Sequence, residues 1–411
     1  MKKEHINFIL LIISSFIANV GIGMAWPYLP IYISILGGVI LDITLLSILY
    51  NLLGSISQYP WGKWSDATGI KKWFISFGNI SYGFFMMLMS LTTSVSFILI
   101  YRSFQGLFSS MSTPTTSALI VELAGDKIGT YFGFYNSISE LGYSIGNILG
   151  SYVVSFLGGP KSTIFFGSLI VLFSSLPVLI IKEKRLKIER HKIPFPTLRP
   201  EGKPGRFPIH LKDALNIFKT NRDIFHIVIA SIFVMTASGI VYSILPIYFS
   251  YKFGEHYVGI FYGVEALSVV IFTPIFGYFA DRKNIKYILL FGISGYILTY
   301  ILYYLSFSNL MVIISEVISG MKWSAFIISA STYVSILSPP GKQARSQALF
   351  NISQTIGYVF GPILTVLVYS YYGNFLSVFT LGIIFAIIGF VYSSLKTKSI
   401  TRAKNNYSKQ A

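Results

Sequence analysis

Cysteine is absent from all 411 residues, which excludes a disulfide framework, thiolate metal ligation and thiol catalysis. Charge is almost as scarce. Asp, Glu, Lys and Arg make up 11% of the chain, where a soluble protein carries about a quarter. Acidic residues are rarer still, 15 against 32 basic ones, and the five histidines fall in tails, loops or the ends of apolar runs. No group of His, Cys or carboxylates has metal-ligand spacing, so neither a metal nor a cofactor is expected. No G-x-x-x-x-G-K-[ST] stretch occurs, which removes the phosphate-binding loop that a nucleotide-driven machine needs.

Apolar length is what the chain has instead: 53% of it is hydrophobic and 17% aromatic. Twelve apolar segments recur, at about 6–34, 43–62, 73–92, 96–120, 131–157, 162–181, 224–250, 257–279, 287–306, 309–336, 346–371 and 374–394. Each suits a bilayer-crossing helix, the form that satisfies every backbone group within its own segment. Met1-Lys2-Lys3 before the first run resembles a signal peptide, but no small-residue cleavage site stands out, so that run is expected to stay as span 1. The net charge of +17 is not spread evenly. With both termini on one side, 28 of the 32 cations fall in the loops and tails of that side, and only Lys161 and Lys252 fall opposite. This bias predicts cytoplasmic termini in a multi-pass cell-membrane protein. It points to membrane lipid as the partner of the positive charge and away from nucleic acid.

Two charged turns lie 215 positions apart: Gly62-Lys63-Trp64-Ser65-Asp66-Ala67-Thr68-Gly69-Ile70-Lys71-Lys72 and Gly277-Tyr278-Phe279-Ala280-Asp281-Arg282-Lys283-Asn284. Leu29-Pro30-Ile31-Tyr32 recurs as Leu245-Pro246-Ile247-Tyr248, and Asn136 with Gly142, Tyr143 and Gly146 recurs as Asn351 with Gly357, Tyr358 and Gly361. The near-constant offset predicts two six-helix halves that are parallel repeats, 1–181 and 224–395. Between them 182–223 holds twelve cations and five prolines. It reads as a cytoplasmic loop, extended at first, with Leu211, Leu215 and Phe218 at the spacing of a short surface helix or of a plain solvated linker. Residues 396–411 form a polar tail, expected to be mobile.

Twelve spans in two halves, the first turn and its looser echo resemble the Major Facilitator Superfamily. Arg102-Ser103-Phe104-Gln105-Gly106 in span 4 is similar to the Arg-x-x-Gln-Gly motif of its proton-coupled members, drug exporters especially. The resemblance implies an all-α membrane protein of twelve transmembrane helices that moves a small-molecule substrate by alternating access and works as a monomer. It also implies a gating role for the turns, carried here by Gly62, Asp66, Gly69, Lys71, Lys72, Gly277, Asp281 and Arg282. One departure bears on antiport: the Gly-Pro pair usual in span 5 is Gly146-Asn147 here, and Gly361-Pro362 in span 11 instead.

Ionisable groups inside the spans are the chemical candidates, because a charge at mid-bilayer is expensive. Arg102, Glu140, Glu265 and Glu316 are candidates for proton coupling, with Glu140 ranked first and Glu265 second. Glu316 stands in the repeat where Arg102 stands, and Glu265 where Tyr50 stands. Arg102 and Glu316 read either as a functional pair on opposite cavity walls or as structural ion-pair members. Lys322 lies about a third of a turn from Glu316 and is left to neutralise Glu265 or Glu140. In spans 5 and 11 a glycine face (Gly142, Gly146, Gly150; Gly357, Gly361) suits close helix packing. The other face offers Asn136 and Tyr143, and Asn351, Gln354 and Tyr358. Asn19 and Trp26 in span 1, Tyr242 in span 7 and Gln105 complete the substrate-cavity candidates. Proton-coupled export of a moderately hydrophobic compound is the leading expectation. A sugar or organic-acid symporter or facilitator is the alternative, and an intramembrane enzyme is the alternative of another class.

Overall fold

A computed structural model describes residues 3–124, 127–183, 221–338 and 343–400. Among the described residues there are sixteen helices and no strand. Span 1 is split into α1 (Lys3–Ala25) and α2 (Tyr28–Ile35); spans 2 and 3 are α3 (Ile40–Thr68) and α4 (Lys71–Leu91). Span 4 is split into α5 (Val95–Ser109) and α6 (Ser112–Ala124), span 5 is α7 (Ile128–Phe156), and span 6 is split into α8 (Pro160–Phe173) and α9 (Ser175–Ile180). The series then repeats as α10 (Arg222–Tyr242) with α11 (Leu245–Phe253), α12 (Glu255–Arg282), α13 (Ile285–Leu305), α14 (Asn309–Leu337), α15 (Gln343–Tyr372) and α16 (Phe375–Lys396). Ten of the twelve spans are long and apolar enough to cross a membrane. The other two are span 4, whose halves are each short, and α7, whose apolar character Asn136, Ser139, Glu140, Ser144 and Asn147 dilute.

The four splits share one cause. Proline has no N–H to donate to the carbonyl four residues back. Pro30, Pro114, Pro177 and Pro246 therefore strip a donor from the carbonyls of Trp26, Ser110, Phe173 and Tyr242. Each of these four residues sits at or within a residue of its break. Pro60, Pro274 and Pro362, by contrast, are carried inside continuous helices.

Packing divides the chain into two compact units, Met1–Pro204 with Phe249–Gly263, and Gly205–Tyr248 with Val264–Ala411. In the first, α1 lies along α7; in the second, α10 lies along α15, the corresponding pair. The expected glycine faces are what permit this. A Cβ placed on Gly146 would come 2.1 Å from the Val20 carbonyl oxygen, and one on Gly361 would come 2.6 Å from the Gly239 backbone. Small residues bring helices close where lipid offers no hydrophobic drive to associate.

The expected loop 182–223 and its surface helix lie outside the described residues, apart from the loop's ends. The beginning of the tail differs from expectation, because Lys396–Ile400 is tied down. The Ile285 N–H donates to the Ile400 carbonyl at 2.9 Å, and Lys398 pairs with Asp223 at 3.0 Å.

Gly146→Ala is expected to lower stability by about 1–3 kcal/mol through overpacking. Gly133→Ala, where nothing lies within 4 Å of the new methyl, should be neutral. Thermal unfolding of the two purified variants in detergent checks the contrast.

Candidate substrate and proton site

In the second unit α10, α12, α13 and α14 bring a cation and two acids together, Glu265 half-buried and the other two charges buried. Glu316 is fully buried and Lys322 1% exposed. No direct ion pair joins Lys322 to Glu265; two hydroxyls stand between them. Ser319 donates to Glu265 Oε1 at 2.5 Å, and the Tyr242 hydroxyl donates to the same oxygen. Lys322 Nζ donates to Ser319 Oγ at 2.6 Å and to the Tyr242 hydroxyl oxygen at 3.3 Å. Each hydroxyl thus accepts from the ammonium and donates to the carboxylate. Shifting both hydrogens of either bridge one step, from ammonium to hydroxyl and from hydroxyl to carboxylate, moves a net proton from Lys322 to Glu265 and cancels both charges.

The ammonium is also surrounded by ring faces. Its nitrogen lies 4.7 Å from the Tyr296 ring centre, 5.4 Å from that of Tyr242 and 5.6 Å from that of Tyr300, a set of cation–π contacts that replaces part of the lost hydration. Glu316 is held separately. Tyr303 donates to its Oε1 at 2.7 Å, while Oε2 is buried without a hydrogen-bond partner. Tyr296, Tyr300, Tyr303 and Ser319 were not among the sequence candidates. Their signal was present in the spacing: 296, 300 and 303 mark one stripe of α13, and 319 stands three residues from both 316 and 322.

In the first unit Arg102, 4% exposed, has a different environment. Its guanidinium carbon lies 4.1 Å from the Tyr50 ring centre, its Nε donates to the Leu46 carbonyl at 3.3 Å and its Nη1 to Gln105 Oε1. Gln105 donates in turn to the Tyr82 carbonyl at 2.9 Å. Among the described residues no carboxylate pairs with Arg102. The repeat thus sets an arginine on a tyrosine in one unit and two glutamates in the matching positions of the other.

The remaining candidates are scattered. Asn19 bonds back to the Ser15 carbonyl of its own helix at 2.9 Å, and Trp26 meets Tyr262 edge-on at 5.9 Å. Glu140 and Tyr143 are half-buried on α7, while Asn136 is exposed. Gln354 reaches Asn351 at 3.4 Å, and the Tyr358 hydroxyl lies 3.4 Å from Ser238 Oγ.

Comparison with known proteins assigns the architecture. The model of the Major Facilitator Superfamily matches residues 11–352 and 227–410. The chain belongs to that superfamily. It is 26% identical over 376 residues to an uncharacterised MFS-type transporter of Methanocaldococcus jannaschii, covering 88% of this chain and 91% of the relative. It is 24% identical over 374 residues to multidrug resistance protein 2 of Bacillus subtilis, covering 89% of each, and 21% identical over 418 residues to the multidrug resistance protein MdtG of Escherichia coli, covering 97% of each. Among solved structures, a mutant of the nucleoside transporter NupG matches at a TM-score of 0.76 with 18% identity, over 94% of this chain and 98% of that one. A bacterial homologue of the lysosomal transporter Spinster matches at 0.72 with 14% identity, over 96% and 97%. At these identities the structural likeness is one of fold.

This superfamily member builds its two charged turns in two ways. Gly69 ends α3 in the left-handed conformation, φ 64°, which glycine adopts without strain. Lys71 pairs with Glu122, and Lys72 Nζ donates to the carbonyls of Leu179 and Ile181 at 3.2 and 3.3 Å. Glu183 Oε1 accepts from the N–H groups of Lys71 and Lys72 at 2.9 and 2.8 Å, so a carboxylate closes the N-terminus of α4. The Asp66 side chain lies outside the described residues. In the second turn Asn284, standing where a glycine was expected, caps α13 by accepting from the Lys286 N–H at 3.1 Å. Arg282 lies over the Tyr278 ring at 4.0 Å, Asp281 is exposed, and the space beside Gly277 is open.

Burial pushes the Glu183 carboxyl above its usual range, with the two N–H donors opposing that rise. A group whose pKa is higher folded than unfolded adds stability that is present below the unfolded value and is lost as pH rises through the folded one. The stability of the native protein relative to Glu183→Gln should therefore increase as pH falls from 8 towards 5. Glu183→Ala, which leaves both N–H groups unmet, should lose about 1 kcal/mol; thermal unfolding across pH reads both. Tyr303→Phe removes the donor to a buried carboxylate and is expected to lower stability by about 1–3 kcal/mol, measured in the same assay.

Proposed function

We propose that this integral membrane protein lies in the cell membrane with both termini cytoplasmic and exports a moderately hydrophobic compound in exchange for protons, by alternating access. The observation that carries the proton part is the hydroxyl-bridged Glu265–Lys322 pair with Glu316 buried on the same helix as Lys322. Buried acids that exchange a proton without a water shell are the usual means of coupling a membrane protein to a proton gradient. Glu265 takes and releases the proton, Lys322 holds the counter-charge through Ser319 and Tyr242, and Glu316 is the second acid. Glu140, half-buried like Glu265, ranks after the acids of the Lys322 cluster. The export part is supported by the similarity to the multidrug resistance proteins. Moving a solute needs no bond made or broken, and the assignment is to a transporter and not an enzyme.

The test is reconstitution of the full chain in proteoliposomes, with an imposed pH gradient and a cationic dye, a sugar and an organic acid as probes. Gradient-driven dye flux is expected, falling at least tenfold in Glu265→Gln and Glu316→Gln while solute exchange without a gradient persists. Flux that ignores both the gradient and these substitutions would sink the coupling assignment. Movement of the sugar or the organic acid in place of the dye would overturn the substrate assignment.

A further inference from the structure

The first unit contains a cavity of about 220 Å3 enclosed by α1, α3, α4, α5, α6 and α8. Its volume is well over ten times the roughly 10–15 Å3 that one ordered water requires. Gly54, Gly78 and Gly106 stand on its walls, the last two where neighbouring helices pack closely, and the side chains around it carry no charge. The chemistry they offer is hydrogen bonding, from the amides of Asn51, Gln58 and Asn79, the hydroxyl of Ser109 and the phenols of Tyr50 and Tyr82. Asn51 commits one N–H to the Ser47 carbonyl at 2.9 Å and Asn79 one to Ser14 Oγ at 3.3 Å. Each primary amide carries a second N–H.

Two of these walls are also the flanks of Arg102. Its guanidinium rests on the Tyr50 ring, and the Tyr82 hydroxyl faces it. Among the described residues the partners of that buried cation are neutral: a backbone carbonyl, a glutamine amide and two phenols. A buried charge left without an opposite charge is costly in low dielectric, and the second unit shows how the chain treats such a group, with Lys322 linked to Glu265 through hydroxyls. In the first unit no acid side chain among the described residues plays that part, while a polar, uncharged cavity lies across Tyr50 and Tyr82 from the cation, which does not itself line it. A positive ligand there would be repelled. A neutral one would satisfy the walls and leave the charge unbalanced.

We propose that this cavity binds a small monovalent anion, either an inorganic ion or the carboxylate of an organic solute, as the counter-charge of Arg102. The site stands on the first unit alone and is independent of proton coupling in the second.

The test measures thermal unfolding of the full chain in detergent, at constant ionic strength, with sodium chloride or sodium acetate replacing a bulky buffer salt such as sodium HEPES. At tenfold excess over Kd the unfolding temperature should rise by about 2–5 °C. The rise should vanish in Arg102→Gln, persist in Arg102→Lys and shrink in Ser109→Val, which crowds the cavity and leaves the charge. If Arg102→Gln does not fold, the contrast between the other two variants decides. Chloride and acetate competing for one saturable site assigns an inorganic counter-ion, and a response to acetate alone assigns a solute carboxylate. Rises that are equal with sorbitol, that survive in Arg102→Gln, that are unchanged in Ser109→Val or that are absent with every anion would each overturn the site.

Discussion

Hydrocarbon offers no hydrogen-bond partner, and every polar group inside the spans must find one in the protein. The structure follows from that constraint. Helices hold the backbone. Where proline removes a donor, at four spans, the helix stops and restarts so that the freed carbonyl falls at the break. Serines and threonines inside the spans donate to carbonyls three or four residues back, as Ser231 does to Ile227 at 2.8 Å and Thr115 to Met111 at 2.8 Å. The same requirement shows in the two buried cations of the spans: Lys322 has two hydroxyls and three ring faces, and Arg102 a carbonyl, an amide and a ring.

The two units meet the constraint with opposite chemistry. One holds an arginine among neutral partners, beside a polar cavity. The other holds two glutamates and a lysine bridged by hydroxyls. They descend from one pattern, as the shared α1–α7 and α10–α15 packing and the matched proline breaks show. The architecture was therefore kept and the buried chemistry was not.

The charged turns serve a different purpose. They are built from helix ends, where exposed N–H and carbonyl groups meet side-chain charge: Glu183 closes α4, Lys72 meets the last carbonyls of α9, and Asn284 caps α13. These contacts fix where spans begin and end. Surface ion pairs of the Lys71–Glu122 kind contribute little by themselves, so the turns organise the fold chiefly through capping.

The residue pattern alone determined the helical class, the twelve spans, the duplication and the glycine faces, because each rests on local composition and on periods of 3.6 or about 215 residues. It also named Arg102, Glu265, Glu316 and Lys322, since a charge within an apolar run is visible without any structure. What it left open was partnership. A helical projection places Lys322 away from Glu316 but says nothing of which neighbouring helix it meets; tertiary packing chose Glu265, through Ser319 and Tyr242. Glu140 ranked first in sequence; the structure leaves it half-buried, as it does Glu265. The three tyrosines of α13 were indistinguishable from lipid-facing aromatics until the fold turned them towards an ammonium. Burial and hydrogen bonding depend on residues far apart in the chain, and only the folded backbone brings them within 3 Å.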